Sequence, residues 1–207
     1  MKIFLPLFIA VIFAHLAVAQ KSYLDSLDQN LKNSGKEDTS RVKALNSLAD
    51  YYGFIQLDSC LYYAAKSSTL ARKLNYAYGE YITYLSTFHG YNTQGNYPLA
   101  LQLAESEKND EAKDMALAIV YSAMGNADRS KQALERLLRI PTVSEYSVAA
   151  VYAYRGEKDL AFQALEAAYQ HRNPDLLNLK TDPLLKGLRT DQRYRALLRR
   201  MNLPESP

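Results

Sequence analysis

Residues 119–134 read IVYSAMGNADRSKQAL, and residues 149–165 read AAVYAYRGEKDLAFQAL. Each copy has a small residue (Ala118 or Ala149), a Tyr three places on (Tyr121 or Tyr152), a glycine four beyond that (Gly125 or Gly156), and then a second run at helical spacing. A glycine between two helical periods ends the first helix, because it enters a left-handed conformation that a side chain would penalise by roughly 1 kcal/mol. The stretch predicts two helices joined by a glycine turn, written twice. Such a unit leaves one apolar face uncovered and must stack on a neighbour.

The rest of the chain agrees with an all-helical protein. Glycine and proline number only 8 and 7 in 207 residues, and Trp is absent. A β-sandwich with many tight turns is disfavoured by that scarcity. Outward from the opening stretch, QGNYPLAL places Gly95, Tyr97 and Ala100 at an earlier turn, so the glycines fall at 95, 125 and 156. Upstream, Asp38-Thr39-Ser40 reads as a helix start, followed by Val42, Leu45, Leu48, Ala49 and Tyr52 on a helical period. A second helix follows Asp58, with Leu61, Ala64, Ala65, Leu70 and Leu74 on its inner face. Before them, Leu24, Leu27 and Leu31 predict a short amphipathic helix ended by Ser34-Gly35-Lys36.

Downstream, Thr142-Val143-Ser144-Glu145 after Pro141 has the spacing of a capping box, which would start the last copy near residue 142. Asn173-Pro174 is expected to close its second helix. Asp182-Pro183 marks another cap, and a final helix is expected near Thr190.

These residues resemble the tetratricopeptide repeat (TPR). Its first helix carries a bulky residue, Leu, a small residue and Tyr, as Leu45, Leu48, Ala49 and Tyr52 do here, and its second carries Ala, as at Ala64 and Ala71. Tyr84, Phe88 and Tyr91 take the corresponding places in a second copy, although Phe88 stands where the family prefers a small residue. The spacings of 30 and 31 are also shorter than the family period of about 34. The ending from residue 175 looks like the TPR end-of-group tail of bacterial repeat proteins. The resemblance implies a right-handed α-solenoid of about four hairpins over residues 38–174, closed by a capping segment over 175–207.

Function follows from what the resemblance implies and from which motifs are present. A TPR array is expected to bind a protein or peptide in its concave groove, without catalysis and without a cofactor. Groove candidates are the first-helix positions left after core assignment: Asn46, Asp50, His89, Asn92, Tyr146 and Tyr154, with Met115, Ile119 and Ser122 in the third copy. The family's carboxylate clamp is not reproduced, because its Lys and Asn places hold Asn46 and Asp50, so an acidic chaperone tail is disfavoured as the ligand. No HExxH, CxxC, GxSxG or GxGxxG occurs, and Ser34-Gly35-Lys36 lacks the earlier glycine of a phosphate loop. A composite enzyme site around His89 or His171 is the alternative from the catalytic class.

Charge offers a second binding surface. The chain is +3 overall, but residues 180–203 carry about plus five and the remainder minus two. Arg193, Arg195, Arg199 and Arg200 are therefore the candidates for docking to an envelope complex, an acidic partner or an anionic membrane surface. Nucleic acid is not an expected partner of an exported chain.

Export itself is read from Lys2, the apolar run at 3–19 and the exit Ala17-Val18-Ala19, which together have the form of a signal peptide. The mature chain is expected to be periplasmic, or secreted, without stable membrane insertion. An uncleaved anchor is the alternative reading. The single Cys60 can form no disulfide within the chain and reads as a small buried apolar residue. Amino-terminal sequencing of the exported protein is expected to begin at Gln20; a chain still beginning at Met1 would contradict cleavage.

Overall fold

Asp38 starts the first long helix: its Oδ1 accepts the Arg41 N–H at 3.1 Å. Helix α1 then runs over Thr39–Gly53, α2 over Leu57–Lys73 and α3 over Ala77–Thr93. The computed structural model describes residues 24–27, 29, 31–32, 37–180 and 182–204. The predicted signal and its cleavage point lie outside them. Val42 and Leu45 of α1 meet Leu70 and Ala71 of α2 in one buried cluster, and Leu31, Tyr63, Leu74 and Tyr76 pack onto it. Residues 24–27 are helical with Leu27 buried, as the leucine spacing predicts. Helix α1 packs against α2 and also against α3.

The chain divides into two compact units between Asn96 and Tyr97. In the second, the helices are α4 (Tyr97–Ser106), α5 (Asp110–Ala123), α6 (Ala127–Leu138), α7 (Glu145–Tyr154), α8 (Lys158–Gln170) and α9 (Gln192–Arg200). Two 3-10 segments, Pro174–Asn178 and Pro183–Leu188, lie between α8 and α9. Helix α5 packs on α4 and α6, and α7 packs on α5, α6, α8 and the second 3-10 segment. No strand occurs among the described residues, and no helix there is long and apolar enough to cross a membrane.

The two written copies are both helical hairpins with matching interiors. Ala118 and Ala149, Val120 and Val151, and Leu134 and Leu165 are buried in pairs. Ser130 stands where the later copy has Ala161, and both are fully buried. Its hydroxyl donates to the Ala118 carbonyl at 2.7 Å and accepts from Arg155, so the one polar substitution in that row is satisfied.

Helices α2, α3, α5, α7, α8 and α9 end in the same backbone stop. Asn75, Gly95, Gly125, Gly156, Arg172 and Asn202 have φ of 51°, 72°, 73°, 80°, 55° and 56°. The residue after each one, from Tyr76 through Asn96, Asn126, Glu157 and Asn173 to Leu203, donates its N–H back across the turn. The acceptors are the carbonyls of Ala71, Tyr91, Tyr121, Tyr152, Ala168 and Leu198, at 2.8 to 2.9 Å. This is the Schellman arrangement, which satisfies carbonyls that a helix end would leave open. Nothing lies within 4 Å of a Cβ built on Gly125, so the demand there is conformational rather than steric.

One boundary expectation is corrected. The capping box at Thr142 does not form: α7 begins at Glu145 under Ser144, whose side chain makes no cap bond. Glu145 instead receives His171 Nδ1 at 2.7 Å and Asn173 Nδ2 at 3.3 Å, tying the start of α7 to the end of α8. Asn173 closes α8 as expected, through its N–H to the Ala168 carbonyl at 2.8 Å, and its Oδ1 caps the following 3-10 segment by accepting Asp175 N–H at 2.9 Å. Asp182 caps the second segment as expected, and α9 starts at Gln192 beneath Asp191.

A direct test compares two of the stops. Gly125→Ala is expected to cost about 1 kcal/mol and Arg172→Gly to stabilise by about 0.5–1 kcal/mol, both read from urea unfolding midpoints. A neutral Gly125→Ala would show that the left-handed conformation does not matter there.

Candidate functional site

The residues nominated for a groove are mostly interior. Asn46 is 4 % exposed. Its Nδ2 donates to the Gly79 carbonyl at 3.0 Å, and its Oδ1 lies 2.8 Å from the Thr83 hydroxyl. That hydroxyl is also 3.2 Å from Ser67 Oγ, and Ser67 reaches the Val42 carbonyl at 3.4 Å. Asn46, Ser67 and Thr83 come from α1, α2 and α3, so they knot three helices together. Asn46 is a brace and not an open contact, because α1 is covered by α3 as well as by α2.

His89 and Asn92 are also buried, and His89 Nε2 has no hydrogen-bond partner among the described residues. Asp50 is half-buried and sits close enough to raise the Cys60 thiol electrostatically. Burial is the larger cause, and the two together push that thiol up to about 11. Cys60 is fully buried and directs its Sγ to the Ser86 carbonyl at 3.6 Å, which suits a packing role and not a nucleophile.

In the second unit Tyr146 is buried, with its hydroxyl donating to Asp182 Oδ2 at 2.9 Å. Burial first, and the Asp182 carboxylate second, hold the phenol above its usual range, so it remains a donor. The face of α7 that Tyr146 was expected to offer is occupied by the chain's own second 3-10 segment. Met115 and Ile119 are interior as well, while Tyr154 and Ser122 are half-buried.

Two of the four nominated tail arginines pair with acids at the surface. Arg193 stands 4.2 Å above the Phe162 ring and pairs with Asp159 and Asp191, each at 2.8 Å. Arg200 stands 4.3 Å above the Tyr169 ring and pairs with Glu166 at 2.7 Å. All three rows step by seven residues, 193 to 200, 159 to 166 and 162 to 169, so α8 and α9 run parallel and in register. The Arg193 fork holds the Asp191 carboxyl down at about 2, and Arg200 lowers Glu166. Arg195 and Arg199 are exposed.

The open feature of the first unit is a cleft of about 570 Å³ that the sequence reading missed. Tyr62, Lys66, Thr69 and Lys73 of α2 edge it, with Tyr63 and Leu70 beside them, Arg41 and Leu45 across on α1, and Leu31 and Glu37 at one end. Tyr62, Lys66, Thr69 and Lys73 fall at i, i+4, i+7 and i+11, one stripe of a helix. That spacing was available as a signal. Glu37 pairs with Lys73, which lowers the Glu37 carboxyl. Lys66 lies 4.3 Å from the Tyr62 ring centroid and donates to its hydroxyl.

The tyrosines beside the cleft are mutually held. Tyr52 and Tyr63 stack at 5.5 Å with planes 10° apart, while Tyr51 meets Tyr52 edge-on at 5.3 Å and Tyr62 meets Tyr63 edge-on at 5.2 Å. Comparison with known families, with curated proteins and with solved structures finds no match.

Because Asn46 and Tyr146 act inside the fold, their loss should be read in stability. Asn46→Ala is expected to cost about 1–2 kcal/mol by removing two buried hydrogen bonds, although the Thr83 hydroxyl and the Gly79 carbonyl still bond each other at 2.8 Å, and Tyr146→Phe about 1–2 kcal/mol, in denaturant unfolding. Wild-type stability in Asn46→Ala would refute the brace.

Proposed function

We propose that this protein is a TPR-like, non-enzymatic scaffold that binds a polypeptide partner outside the cytoplasm, with the cleft between α1 and α2 as a principal contact surface. The observation that carries the reading is the cleft itself: a concave, partly apolar surface walled by tyrosines already fixed against one another. Rigid aromatics with polar tips give large contact area at small entropic cost, and they recur at the centres of protein interfaces. Placement outside the cytoplasm rests on the signal-like sequence at residues 1–19.

The cleft is preferred to the basic tail because Arg193 and Arg200 are engaged with α8. It is preferred to the nominated groove because Asn46, His89, Asn92 and Tyr146 are buried. The two surfaces are separated by photo-crosslinking. A crosslinking amino acid in place of Tyr62 is expected to yield a defined covalent adduct from envelope extract, and one in place of Arg195 is expected to yield none. An adduct at 195 and none at 62 would transfer the function to the tail.

A further inference from the structure

The sequence has 17 tyrosines, no tryptophan and one cysteine. Tyrosine, tryptophan and a cysteine thiolate are the side chains that most readily give up a single electron. Here Cys60 is fully buried and its thiol is pushed up to about 11, so it stays protonated and out of reach. Methionine is oxidised instead by gaining an oxygen atom. A one-electron oxidant therefore meets tyrosine, and in the first unit the tyrosines touch one another. Tyr51, Tyr52, Tyr63 and Tyr62 form an unbroken row of rings, with successive centroids 5.3, 5.5 and 5.2 Å apart. The first three are half-buried, whereas Tyr62 is 52 % exposed.

The row has a direction. An electron passes readily between rings in contact, but a phenol that has lost one is trapped as a neutral radical only where its proton can leave. The Tyr62 hydroxyl accepts a hydrogen bond from Lys66, so its own proton is left to solvent. The Lys66 ammonium lies 4.3 Å from the ring centroid, where it opposes a positive charge on the ring and favours loss of that proton. After the proton has gone, the same ammonium still donates to the oxygen. A comparison stands in the same unit. Tyr78 is 48 % exposed, but its neighbours Tyr76 and Tyr81 are tilted against it at 6.2 and 6.5 Å. Exposure alone would treat Tyr62 and Tyr78 alike; ring contact separates them.

We propose that Tyr62 is an oxidative coupling site, at which the row Tyr51–Tyr52–Tyr63–Tyr62 delivers one-electron oxidation to the surface and joins this chain to a second copy. Each one-electron oxidant takes one electron from the row, and Tyr62 releases its phenolic proton to water. Two such radicals, one on each copy, form a carbon–carbon bond between ring carbons ortho to the oxygens. Each joined ring then passes its ortho hydrogen to its oxygen as a proton, which restores the phenol. Two phenols thus give one dityrosine, two protons and two reduced oxidants. The site does not depend on which partner the cleft takes.

The test exposes the purified protein to photogenerated tris(bipyridine)ruthenium(III), a one-electron oxidant, with persulfate as the electron sink. It reads dityrosine fluorescence, covalent dimer on a denaturing gel and the coupled peptides by mass spectrometry. Most of the coupled peptide is expected to carry Tyr62. Tyr62→Phe should remove most of the dimer, and Tyr78→Phe only a minor part. Tyr63→Phe keeps a ring in place and Tyr62 exposed, but sets a group that is hard to oxidise between Tyr62 and Tyr52. It should lower coupling at Tyr62 while circular dichroism and the urea midpoint stay close to wild type. Should that variant unfold, Tyr52→Phe makes the same interruption one ring further in. Equal losses in Tyr62→Phe and Tyr78→Phe, or wild-type dimer in Tyr62→Phe, would overturn the site. Wild-type coupling in a folded Tyr63→Phe or Tyr52→Phe would overturn the inference as well, since exposure alone would then account for Tyr62.

Discussion

The left-handed residue that ends α2, α3, α5, α7, α8 and α9 is the constraint on which their turns depend. A helix ends with unpaired carbonyls, and a chain that must reverse within three residues has few ways to satisfy them. One residue at positive φ turns the next N–H back onto the helix and frees the following residues to start another. At Gly95, Gly125 and Gly156 the required conformation comes without strain. At Asn75 and Asn202 it comes from a residue whose short polar side chain tolerates it. Arg172 has no such excuse in its own chemistry, but the neighbouring Asn173 and His171 are both anchored to Glu145, which fixes the turn from either side.

Much of that architecture was legible in the sequence, and the reason is local. Gly125 and Gly156 announce their turns because glycine is favoured where φ is positive. Asp38 and Asp182 announced helix starts for a similar local reason. The Asn75, Arg172 and Asn202 stops were not foreseen, since nothing in a single Asn or Arg distinguishes a positive φ from an ordinary turn. The failure at Thr142 is instructive: the spacing of a capping box was present, but Glu145 finds its partners just past the end of α8, twenty-six and twenty-eight residues away.

Four of the six groove candidates, Asn46, His89, Asn92 and Tyr146, are buried for a tertiary reason. Choosing the residues left over after core assignment assumes that each first helix keeps one side open. Helix α1 has neighbours on two sides, and α5 and α7 are buried continuously over Asp114–Val120 and Tyr146–Val151. A helix buried all round has no free face, and only its packing partners decide that. For α7 one partner is the second 3-10 segment, which arrives from residues 183–188 and could not be assigned to that face from sequence spacing alone.

Cation and ring contacts also join α8 and α9 at the surface of the second unit. An arginine laid on an aromatic ring loses little by being held there, because the planar group keeps its stacking contact while its edge donates to a carboxylate. Repeated seven residues apart, that unit fixes α9 in register along α8, with Tyr194, Leu197 and Leu198 buried beneath it. A single exposed ion pair would contribute little to such a joint. Two in register, each backed by a ring, restrict sliding as well as separation. The tyrosines by α1 and α2 are arranged under a comparable restraint: Tyr63 is held by Tyr52 on one side and Tyr62 on the other. A group approaching that surface therefore need not order the wall that receives it, and a larger share of its contact energy remains available for affinity.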